Sequence, residues 1–389
     1  MIEAQDFLSQ CLKRKFNFFT GTPCSYLSPF INYVIDHPEF DFVDATNEGD
    51  AIAIAAGATL AGRRSVVMYQ NSGLGNSVNP LTSLTAIFKI PMLVITTLRG
   101  DPHGESDEPQ HKLMGTITES LLNTMQISWA YFPNEKMAIE KALDQAVAYM
   151  DKEKKPYFFV MKKNDVAPYD LKSQGPCLKS QFNVKHEERF SLDRDKRYTR
   201  TEALGVLQSY ADRKTIFVAT TGKTGRELYE LGDLPNQFYM VGSMGCALPL
   251  GFGIAYAKPK LKVYVIDGDG ALLMRTGSMA TVGAYSPKNL IHILLDNEAH
   301  DSTGGQSTVS SSLSFSTVAK GFCYRHVFST DHLGFFKDYV AVAMKQDGPT
   351  FIQLKIKKGS PKNLGRPKIS PEEVAQRFSQ FISRSVGVL

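Results

Sequence analysis

Two apolar segments of the sequence, each typical of a β-strand, end in polar side chains that could bind a metal ion. The first, residues 263–266, runs into Asp-Gly-Asp269-Gly270, and the second, residues 290–295, runs into Asp-Asn297. Twenty-six residues separate Gly270 from Asn297, about the length of one strand–helix–strand unit, so both ends are expected at the same edge of a parallel sheet. Carboxylate, amide and carbonyl oxygens suit Mg²⁺, which takes phosphate oxygens as further ligands. The pattern therefore predicts a magnesium–diphosphate site, with backbone N–H groups after Gly270 facing the anion.

Two common Gly-rich ligand-binding loops do not fit the Asp-Gly-Asp-Gly segment. A dinucleotide-binding loop needs the pattern G-x-G-x-x-G, and its third glycine position is occupied by Leu273. A calcium-binding EF-hand loop needs a further acidic or Asn ligand two residues on and a terminal Glu, and both are missing here. A plain turn between a strand and a helix stays open, because Asp-Gly pairs are common in turns.

Length and composition restrict the class of protein. The chain has 389 residues, which suits two domains, and its 43% hydrophobic and 21% charged content is ordinary for a globular protein. A net charge of +5 suits an anionic small molecule but is too weak to indicate nucleic-acid binding. No apolar segment is long enough to cross a membrane, and no signal peptide is evident. Five scattered cysteines without metal-ligand spacing predict reduced thiols and a cytoplasmic location.

The order of features repeats between the two halves of the chain. A strand, a Thr/Gly loop and a helix start occur in residues 16–30 and again in 215–230; a strand and a helix rich in Ala and Gly occur in 40–62 and in 237–257. The segments SVVMYQNSG and KVYVIDGDG follow, then IPMLVITTLRGD and NLIHILLDNEA, and each half closes with a helix and a strand. The pattern predicts an α/β fold with two similarly folded domains, each a mostly parallel sheet flanked by helices, without a middle domain.

Domain boundaries follow from changes in composition. We expect one domain over residues 1–165, a polar and poorly periodic linker over 166–197, a second domain over 198–360, and a C-terminal tail with a helix over 361–389. Ser370 is placed to cap that helix, with Pro371 at its first position. The basic residues before it are expected to be a solvated tail.

The pair formed by Gly-Asp269-Gly and Asn297 resembles the cofactor motif of the thiamine-diphosphate enzymes, and the resemblance covers essentially the whole chain. Within that superfamily, four runs resemble the phosphonopyruvate decarboxylase family: NEGDAIAIAAG, YQNSGLGNSVNPLTSL, DEPQHKLMG and GDGALLMRTGSMATVGAYSPKNLIHILLDNEAHDSTGGQ. The segments TTGKTGRELYE and VGSMGCA fit the same family. The resemblance implies a pyrimidine-binding domain first and a diphosphate- and Mg²⁺-binding domain second, with active sites between subunits of at least a homodimer.

The resemblance also implies roles for individual residues. Asp269, the Asn297 side chain and the Ala299 carbonyl would bind Mg²⁺, and Glu48 would protonate the pyrimidine ring of the cofactor. Met244 would wedge between the two cofactor rings. The remaining cofactor-binding positions are Gly242, Gly268, Gly270, Ala271, Ser302 and Thr221.

The sequence gives only candidates for the residues that contact the substrate. His111 and His300 are candidate proton donors, because histidine titrates near neutral pH. Candidate substrate contacts are Asn71, Ser72, Lys223 and Arg226. The polar loop over residues 98–115 is long enough to act as a lid.

The activity implied is decarboxylation of an anionic 2-keto acid, 3-phosphonopyruvate, to phosphonoacetaldehyde and CO₂ in phosphonate biosynthesis, with thiamine diphosphate and Mg²⁺. Sulfopyruvate decarboxylase, or another small 2-keto acid decarboxylase, is the alternative. A phosphonate and a sulfonate both call for Arg, Lys and backbone donors, so residue chemistry leaves that choice open. No nucleic-acid or membrane partner is expected.

Overall fold

The computed structural model of the protein describes residues 1–173 and 184–386. The chain divides into two compact units, Met1–Cys177 and Leu178–Leu389. Each unit contains one parallel sheet, and a two-stranded antiparallel pair is added in the second. Part of the expected linker, including Cys177, lies outside the described residues.

The first unit alternates strands and helices along the chain. Its strands are β1 (Phe16–Gly21), β2 (Asp41–Asp44), β3 (Arg64–Tyr69), β4 (Leu93–Thr97), β5 (Ser128–Tyr131) and β6 (Tyr157–Met161). Its helices are α1 (Ala4–Lys13), α2 (Ser28–Asp36), α3 (Glu48–Leu60), α4 (Leu74–Pro80), α5 (Ala86–Phe88), α6 (Lys112–Thr124) and α7 (Lys136–Glu153). Short turns of other helix types lie at Asn71–Gly73, Leu81–Thr85 and Pro109–His111.

The second unit has the same alternation. Its strands are β7 (Lys185–Arg189), β8 (Thr215–Ala219), β9 (Gln237–Tyr239), β10 (Lys262–Gly268), β11 (Leu290–Asp296), β12 (Ala299–His300), β13 (Gln306–Ser307), β14 (His326–Thr330) and β15 (Thr350–Lys355). Its helices are α8 (Arg200–Gln208), α9 (Lys223–Leu231), α10 (Ala247–Ala257), α11 (Asp269–Met274), α12 (Ser278–Tyr285), α13 (Phe315–Gly321), α14 (Leu333–Lys345) and α15 (Pro371–Val386). Short 3₁₀ turns lie at Arg194–Lys196, Asp301–Thr303 and Val309–Ser312.

Strand order confirms the predicted repeat. The first sheet is ordered β2-β1-β3-β4-β6-β5, and the second β9-β8-β10-β11-β15-β14, with β7 added beyond β14. All neighbours in both sheets pair in parallel. Strands β3 and β10 therefore occupy the same place, as do β4 and β11. Their carboxyl ends carry the residues that the sequence marked for chemistry.

Helices made of small residues pack closely on each sheet, as their composition indicates. Helix α3 is buried over almost its whole length, and α10 is buried over its first nine residues. At Gly251 in α10, an added Cβ would lie 2.2 Å from the Val265 side chain of β10. Because the central strands of a parallel sheet are covered on both faces, they are largely apolar, and all five residues of β8 are buried.

Two segments outside the repeat have defined structure. Within the expected linker, β7 pairs with β14 as an edge strand, so its charged sequence forms part of the second sheet. Helix α15 begins as predicted: the Ser370 hydroxyl accepts from the Glu373 N–H at 3.2 Å, and the Glu373 carboxylate accepts from the Ser370 N–H at 2.9 Å. Among the described residues, no helix is both long and apolar enough to cross a membrane.

A pair of glycine substitutions tests the packing of the second unit. At Gly283 in α12, an added Cβ would lie 1.5 Å from the Phe322 carbonyl oxygen, whereas at Gly205 in α8 it would meet nothing within 4 Å. Gly283→Ala should destabilise the protein by roughly 1–3 kcal/mol or more through overpacking. Gly205→Ala should be neutral or stabilising by up to about 1 kcal/mol. Thermal unfolding midpoints of the two variants measure this, and equal midpoints would contradict the helix packing described.

Candidate functional site

A cavity of about 200 Å³ lies at the carboxyl ends of the central strands of the second unit. It is lined by the loops after β8, β10 and β11, which are neighbours in the sheet. Most predicted residues of this unit meet here: Thr221, Lys223, Met244, Gly268, Asp269, Gly270, Ala271, Asn297, Ala299, His300 and Ser302. Parallel pairing explains the convergence, because Gly268 at the end of β10 is in register with Leu295 near the end of β11.

Asp269 is the buried carboxylate of this cavity. It is the first residue of α11, directly after β10, and its side chain accepts a hydrogen bond from the Thr308 hydroxyl. Burial raises the pKa of Asp269 to about 6, although the Thr308 hydrogen bond opposes the shift. A bound cation would favour the ionised form, so this position suits a metal ligand.

The loop after β11 brings an amide and a carbonyl to the same cavity. Glu298 has a φ of 60°, a left-handed conformation that turns the chain between Asn297 and Ala299. The Ala299 N–H donates to the Asn297 Oδ1 at 3.2 Å, and the Asn297 Nδ2 donates to Asp301 Oδ2 at 2.6 Å. The pair β12–β13 closes the loop.

Gly270 allows two larger side chains to approach the backbone. An added Cβ at this position would lie 2.6 Å from the His300 ring and 3.2 Å from the terminal methyl of Met244. His300 and Met244, predicted from separate segments, therefore both reach the start of α11.

Two predicted residues of the second unit are not brought to this cavity. Gly242 lies two residues before Met244 but is not among the lining residues. Arg226 points elsewhere: its Nε donates to the Gly365 carbonyl at 2.6 Å, and a second guanidinium nitrogen donates to the Leu364 carbonyl. Arg226, expected to contact substrate, thus binds the C-terminal segment through these two hydrogen bonds.

In the first unit, Glu48 lies at the start of α3, after β2. Its two carboxylate oxygens accept from the Thr22 hydroxyl at 3.1 Å and the Asn76 amide at 2.8 Å. An added Cβ at Gly73 would lie 2.3–2.5 Å from the Glu48 side chain. The absence of a side chain at Gly73 therefore leaves room for the Glu48 carboxylate.

A second polar group in this unit surrounds His111, which is 8% exposed. Its Nδ1 lies 3.2 Å from Asp107, whose carboxylate is held by both Nε and Nη2 of Arg99 at 2.7 and 2.6 Å. The Arg99 guanidinium holds the pKa of Asp107 well below its usual range. The other ring nitrogen lies 3.4 Å from the Gln70 amide, which donates to Ser72 at 2.6 Å. His111 and Ser72 are thus joined through Gln70, within a loop tied down by ion pairs.

Asn71, expected to contact substrate, is engaged in hydrogen bonds within the first unit. It is fully buried, and its amide donates to the Arg99 carbonyl at 2.9 Å and to the Thr118 hydroxyl at 3.0 Å. Its oxygen accepts from the Arg99 N–H at 3.2 Å. These bonds fix the loop after β4 and engage both the oxygen and the nitrogen of the Asn71 amide.

The donors in the second unit fit Mg²⁺ with a diphosphate. Asp269, Asn297 and the Ala299 carbonyl are hard oxygen donors around one cavity, where Mg²⁺ would complete its shell with phosphate oxygens and water. In the part of the chain that the structure describes, no cluster of three His, Cys, Asp or Glu side chains forms an alternative metal site.

Three residues of the second unit's cluster have no signal in the local sequence, because they contact predicted residues or their partners across long sequence separations: Arg200, Glu227 and Thr308. In the first unit, Gln70 and Asp107 lie within the segments YQNSGLGNSVNPLTSL and DEPQHKLMG, and Asp107 precedes His111 by four residues. Asp301 follows Asn297 by four residues within the same motif, which makes it a candidate contact from the sequence as well.

Comparison with known protein families agrees with this geometry. Residues 2–121 match the family model for the N-terminal TPP binding domain of thiamine pyrophosphate enzymes. Residues 220–354 match the model for the C-terminal TPP binding domain of the same enzymes. The two matches fall in the two structural units.

Relatives of known name match over nearly the full length. The chain is 44% identical to the phosphonopyruvate decarboxylase of Streptomyces viridochromogenes, over 98% of this chain and 96% of the relative. It is 42% identical to that of Streptomyces hygroscopicus, over 98% and 94%. A sulfopyruvate decarboxylase of Methanosarcina acetivorans is 30% identical over 74% of this chain and 73% of the relative.

Solved structures share the fold. The thiamine diphosphate-dependent 4-hydroxybenzoylformate decarboxylase of Rhodococcus jostii RHA1 matches with a TM-score of 0.72 over 93% of this chain and 100% of that chain. The sequences are 14% identical, so this likeness establishes the fold alone.

Substitution of Gly73 tests whether the position of Glu48 matters. Gly73→Ala should displace the Glu48 carboxylate and lower the decarboxylase kcat by at least about tenfold, the lower range for losing a positioned proton-transfer group. The thermal unfolding midpoint should change little, because a half-buried side chain can move aside. Gly75→Ala is the matched control, since its Cβ would meet nothing within 4 Å, and it should keep kcat within about twofold of the parent value. Full activity of Gly73→Ala would show that kcat does not depend on the position of the Glu48 carboxylate.

Proposed function

Because the chain belongs to the phosphonopyruvate decarboxylase family of thiamine-diphosphate enzymes, we propose that it converts 3-phosphonopyruvate to phosphonoacetaldehyde and CO₂. The observation that carries the proposal is the cavity of the second unit, where Asp269, Asn297 and Ala299 meet. Full-length relatives of that name support the choice of substrate. The proposal includes a place in phosphonate biosynthesis, which is supported by a product that keeps the carbon–phosphorus bond.

The second unit would hold the diphosphate end of the cofactor. Asp269, the Asn297 oxygen and the Ala299 carbonyl would ligate Mg²⁺, and the N–H groups of Gly270 and Ala271 would face the diphosphate. Other lining residues, Gly268, Thr221 and Ser302, would contact the same group, and Gly242 and Met244 the cofactor rings. Support comes from the close approach of Met244 to Gly270.

Thiamine diphosphate, when bound, supplies the carbon that attacks the keto group and accepts the electron pair left when CO₂ departs. The chain must then move protons. Glu48 would exchange a proton with the pyrimidine ring, and its hydrogen bonds to Thr22 and Asn76 would keep the carboxylate aimed. His111 or His300 would return a proton to the reacting carbon; for His111, Asp107 would set the orientation of the ring.

The phosphonate requires cations or N–H donors, because it enters a site that already holds a diphosphate. Lys223 lines the cavity, and its side chain forms no hydrogen bond or ion pair with any residue that the structure describes. We therefore assign it to the phosphonate, with Ser72 as a second contact. Arg226 and Asn71 are withdrawn from this role because their donors are engaged elsewhere.

A homodimer or larger homo-oligomer, with each site completed by a second subunit, is part of the proposal. It is supported by apolar side chains that are exposed beside proposed site residues: Leu113 near His111 at 68%, Met274 at the end of α11 at 63%, and Val309 beside Thr308 at 65%. A cytoplasmic location is supported by the cysteines, because the four that the structure describes are thiols rather than disulfides.

A product assay tests the proposed function. Purified protein with thiamine diphosphate and Mg²⁺ is incubated separately with phosphonopyruvate, sulfopyruvate and pyruvate, and each aldehyde is identified by NMR. Phosphonoacetaldehyde should form with the highest kcat/KM. Preferred turnover of sulfopyruvate would transfer the assignment to the sulfopyruvate decarboxylases, which are also relatives of this chain.

Substitution of Lys223 tests the phosphonate contact. Lys223→Ala should lower kcat/KM for phosphonopyruvate at least tenfold relative to pyruvate, equivalent to about 1.4 kcal/mol of selective binding. Arg226→Ala removes the same charge from the next turn of α9 and is the matched control. It should lower the thermal midpoint, through loss of its bonds to Leu364 and Gly365, but leave the substrate ratio unchanged. An equal loss for both substrates in Lys223→Ala would assign Lys223 to the cofactor instead.

A further inference from the structure

The amide of Asn297 must be held in one orientation to serve as a metal ligand. A side-chain amide has an acceptor oxygen on one side and a donor NH₂ on the other, and only the oxygen can bind a cation. In the structure, the Asn297 Nδ2 donates to Asp301 Oδ2 at 2.6 Å, while its Oδ1 accepts from the Ala299 N–H at 3.2 Å. A flipped amide would place its NH₂ against the Ala299 N–H and its oxygen against the Asp301 carboxylate. Asp301 on one side and the Ala299 N–H on the other therefore fix which atom Asn297 offers to a ligand, and the shorter contact is the one to Asp301.

Asp301 is itself held from two further directions. Arg200 donates to its Oδ2 at 2.7 Å, and the Gly359 N–H lies 3.2 Å from each of its oxygens. Both carboxylate oxygens are thus engaged by the protein. The carboxylate can orient Asn297 without being available as a metal ligand itself.

Arg200 is committed to this network although it lines the cavity. Its side chain is 6% exposed and also donates to Glu227 at 2.7 Å and to the Ser360 hydroxyl at 3.0 Å. Glu227 in turn accepts from the Thr201 hydroxyl at 2.8 Å. A buried cation between two buried carboxylates is costly to disturb, so the chain Glu227–Arg200–Asp301 forms a fixed support.

We propose that Asp301 is a positioning residue for the metal site: it keeps the Asn297 oxygen turned toward the Mg²⁺ expected beside Asp269, and Arg200 holds Asp301 in place. The inference rests on the proposed function, because it takes the Mg²⁺ site as its premise. Outer-shell partners of metal ligands typically change metal affinity by about 10–100-fold.

A purely structural role for the same network makes a different prediction. The network joins the start of α8 and the segment at Gly359 to the loop after β11. If the network were only structural, each substitution within it would lower the stability of the protein. Substitution of Asp301 would then reduce Mg²⁺ affinity no more than substitution of Glu227.

The test compares two variants of the full-length protein. Asp301→Leu removes the acceptor of the Asn297 amide at similar size, whereas Glu227→Gln alters the far side of Arg200 and does not touch Asn297. Mg²⁺ is removed with EDTA, and its Kd is measured by calorimetry with thiamine diphosphate present. We expect Asp301→Leu to raise the Kd about 10–100-fold, with kcat recovering at saturating Mg²⁺, and Glu227→Gln to change it by less than about threefold.

An Asn297→Asp background keeps the test decisive if Asp301→Leu folds poorly alone. A carboxylate at position 297 presents an oxygen whichever way it turns, and the neighbouring Asp301 carboxylate would repel it. Adding Asp301→Leu to Asn297→Asp removes that repulsion and should therefore leave the Mg²⁺ affinity equal or improved, a coupling that a double-mutant cycle measures. Asp301→Asn, which retains one acceptor oxygen, should weaken Mg²⁺ binding less than Asp301→Leu.

Three results would overturn the inference. One is an Asp301→Leu protein that binds Mg²⁺ within about threefold of the parent, and another is an equal loss in Glu227→Gln. The third is additive weakening in the Asn297→Asp background. If the parent protein itself did not bind Mg²⁺, the proposed metal site would be wrong, and the inference would fall with it. If the parent binds Mg²⁺ but the variants give one of the three results above, only the role of Asp301 is wrong.

Discussion

A buried carboxylate, Asp269, is the group on which the second unit's site depends. An ionised carboxylate out of contact with water is unfavourable unless a cation or hydrogen bonds compensate it, and burial raises its pKa to about 6 here. The protein supplies one hydroxyl, from Thr308, and arranges amide and carbonyl oxygens around the same cavity. A divalent cation would complete this arrangement. The parallel pairing of β10 with β11 makes it possible, because it brings two loops from distant parts of the chain to one edge.

The two units use one scaffold for different chemistry. Their sheets share a strand order, yet the position after β3 carries Ser72 and Gly73 where the position after β10 carries Asp269 and Gly270. In the first unit, the loop after β4 is fixed by Arg99 and Asp107; in the second, the equivalent loop is fixed by Arg200 and Asp301. The carboxylate of each ion pair also contacts a neighbouring side chain: Asp107 lies 3.2 Å from the His111 ring in one unit, and Asp301 accepts from the Asn297 amide in the other.

The sequence predicted those features that depend on residues close together along the chain. Apolar strands, helices rich in small residues and the ends of β10 and β11 were all evident, and the rules of parallel sheets then brought Asp269, Asn297 and His300 together. Partners distant in sequence were not predictable in this way. Arg226 donates to the carbonyls of residues 364 and 365. The Asn71 amide is hydrogen-bonded to the backbone of Arg99. Strand β7 was not predicted because its sequence, KHEER, shows no alternation of apolar and polar residues. It lies at the edge of the sheet and pairs with one strand, β14.

The central proposal is that the Glu48 carboxylate exchanges a proton with the thiamine diphosphate that the protein binds. Hydrogen–deuterium exchange at the C2 position of bound thiamine diphosphate, followed by NMR, tests this most directly. Glu48→Gln should bind the cofactor with unchanged Mg²⁺ dependence but slow the exchange on the order of 10²–10⁴-fold. Glu39→Gln, which alters an exposed carboxylate just before β2, should leave the rate unchanged. An unaltered exchange rate in Glu48→Gln would contradict the account.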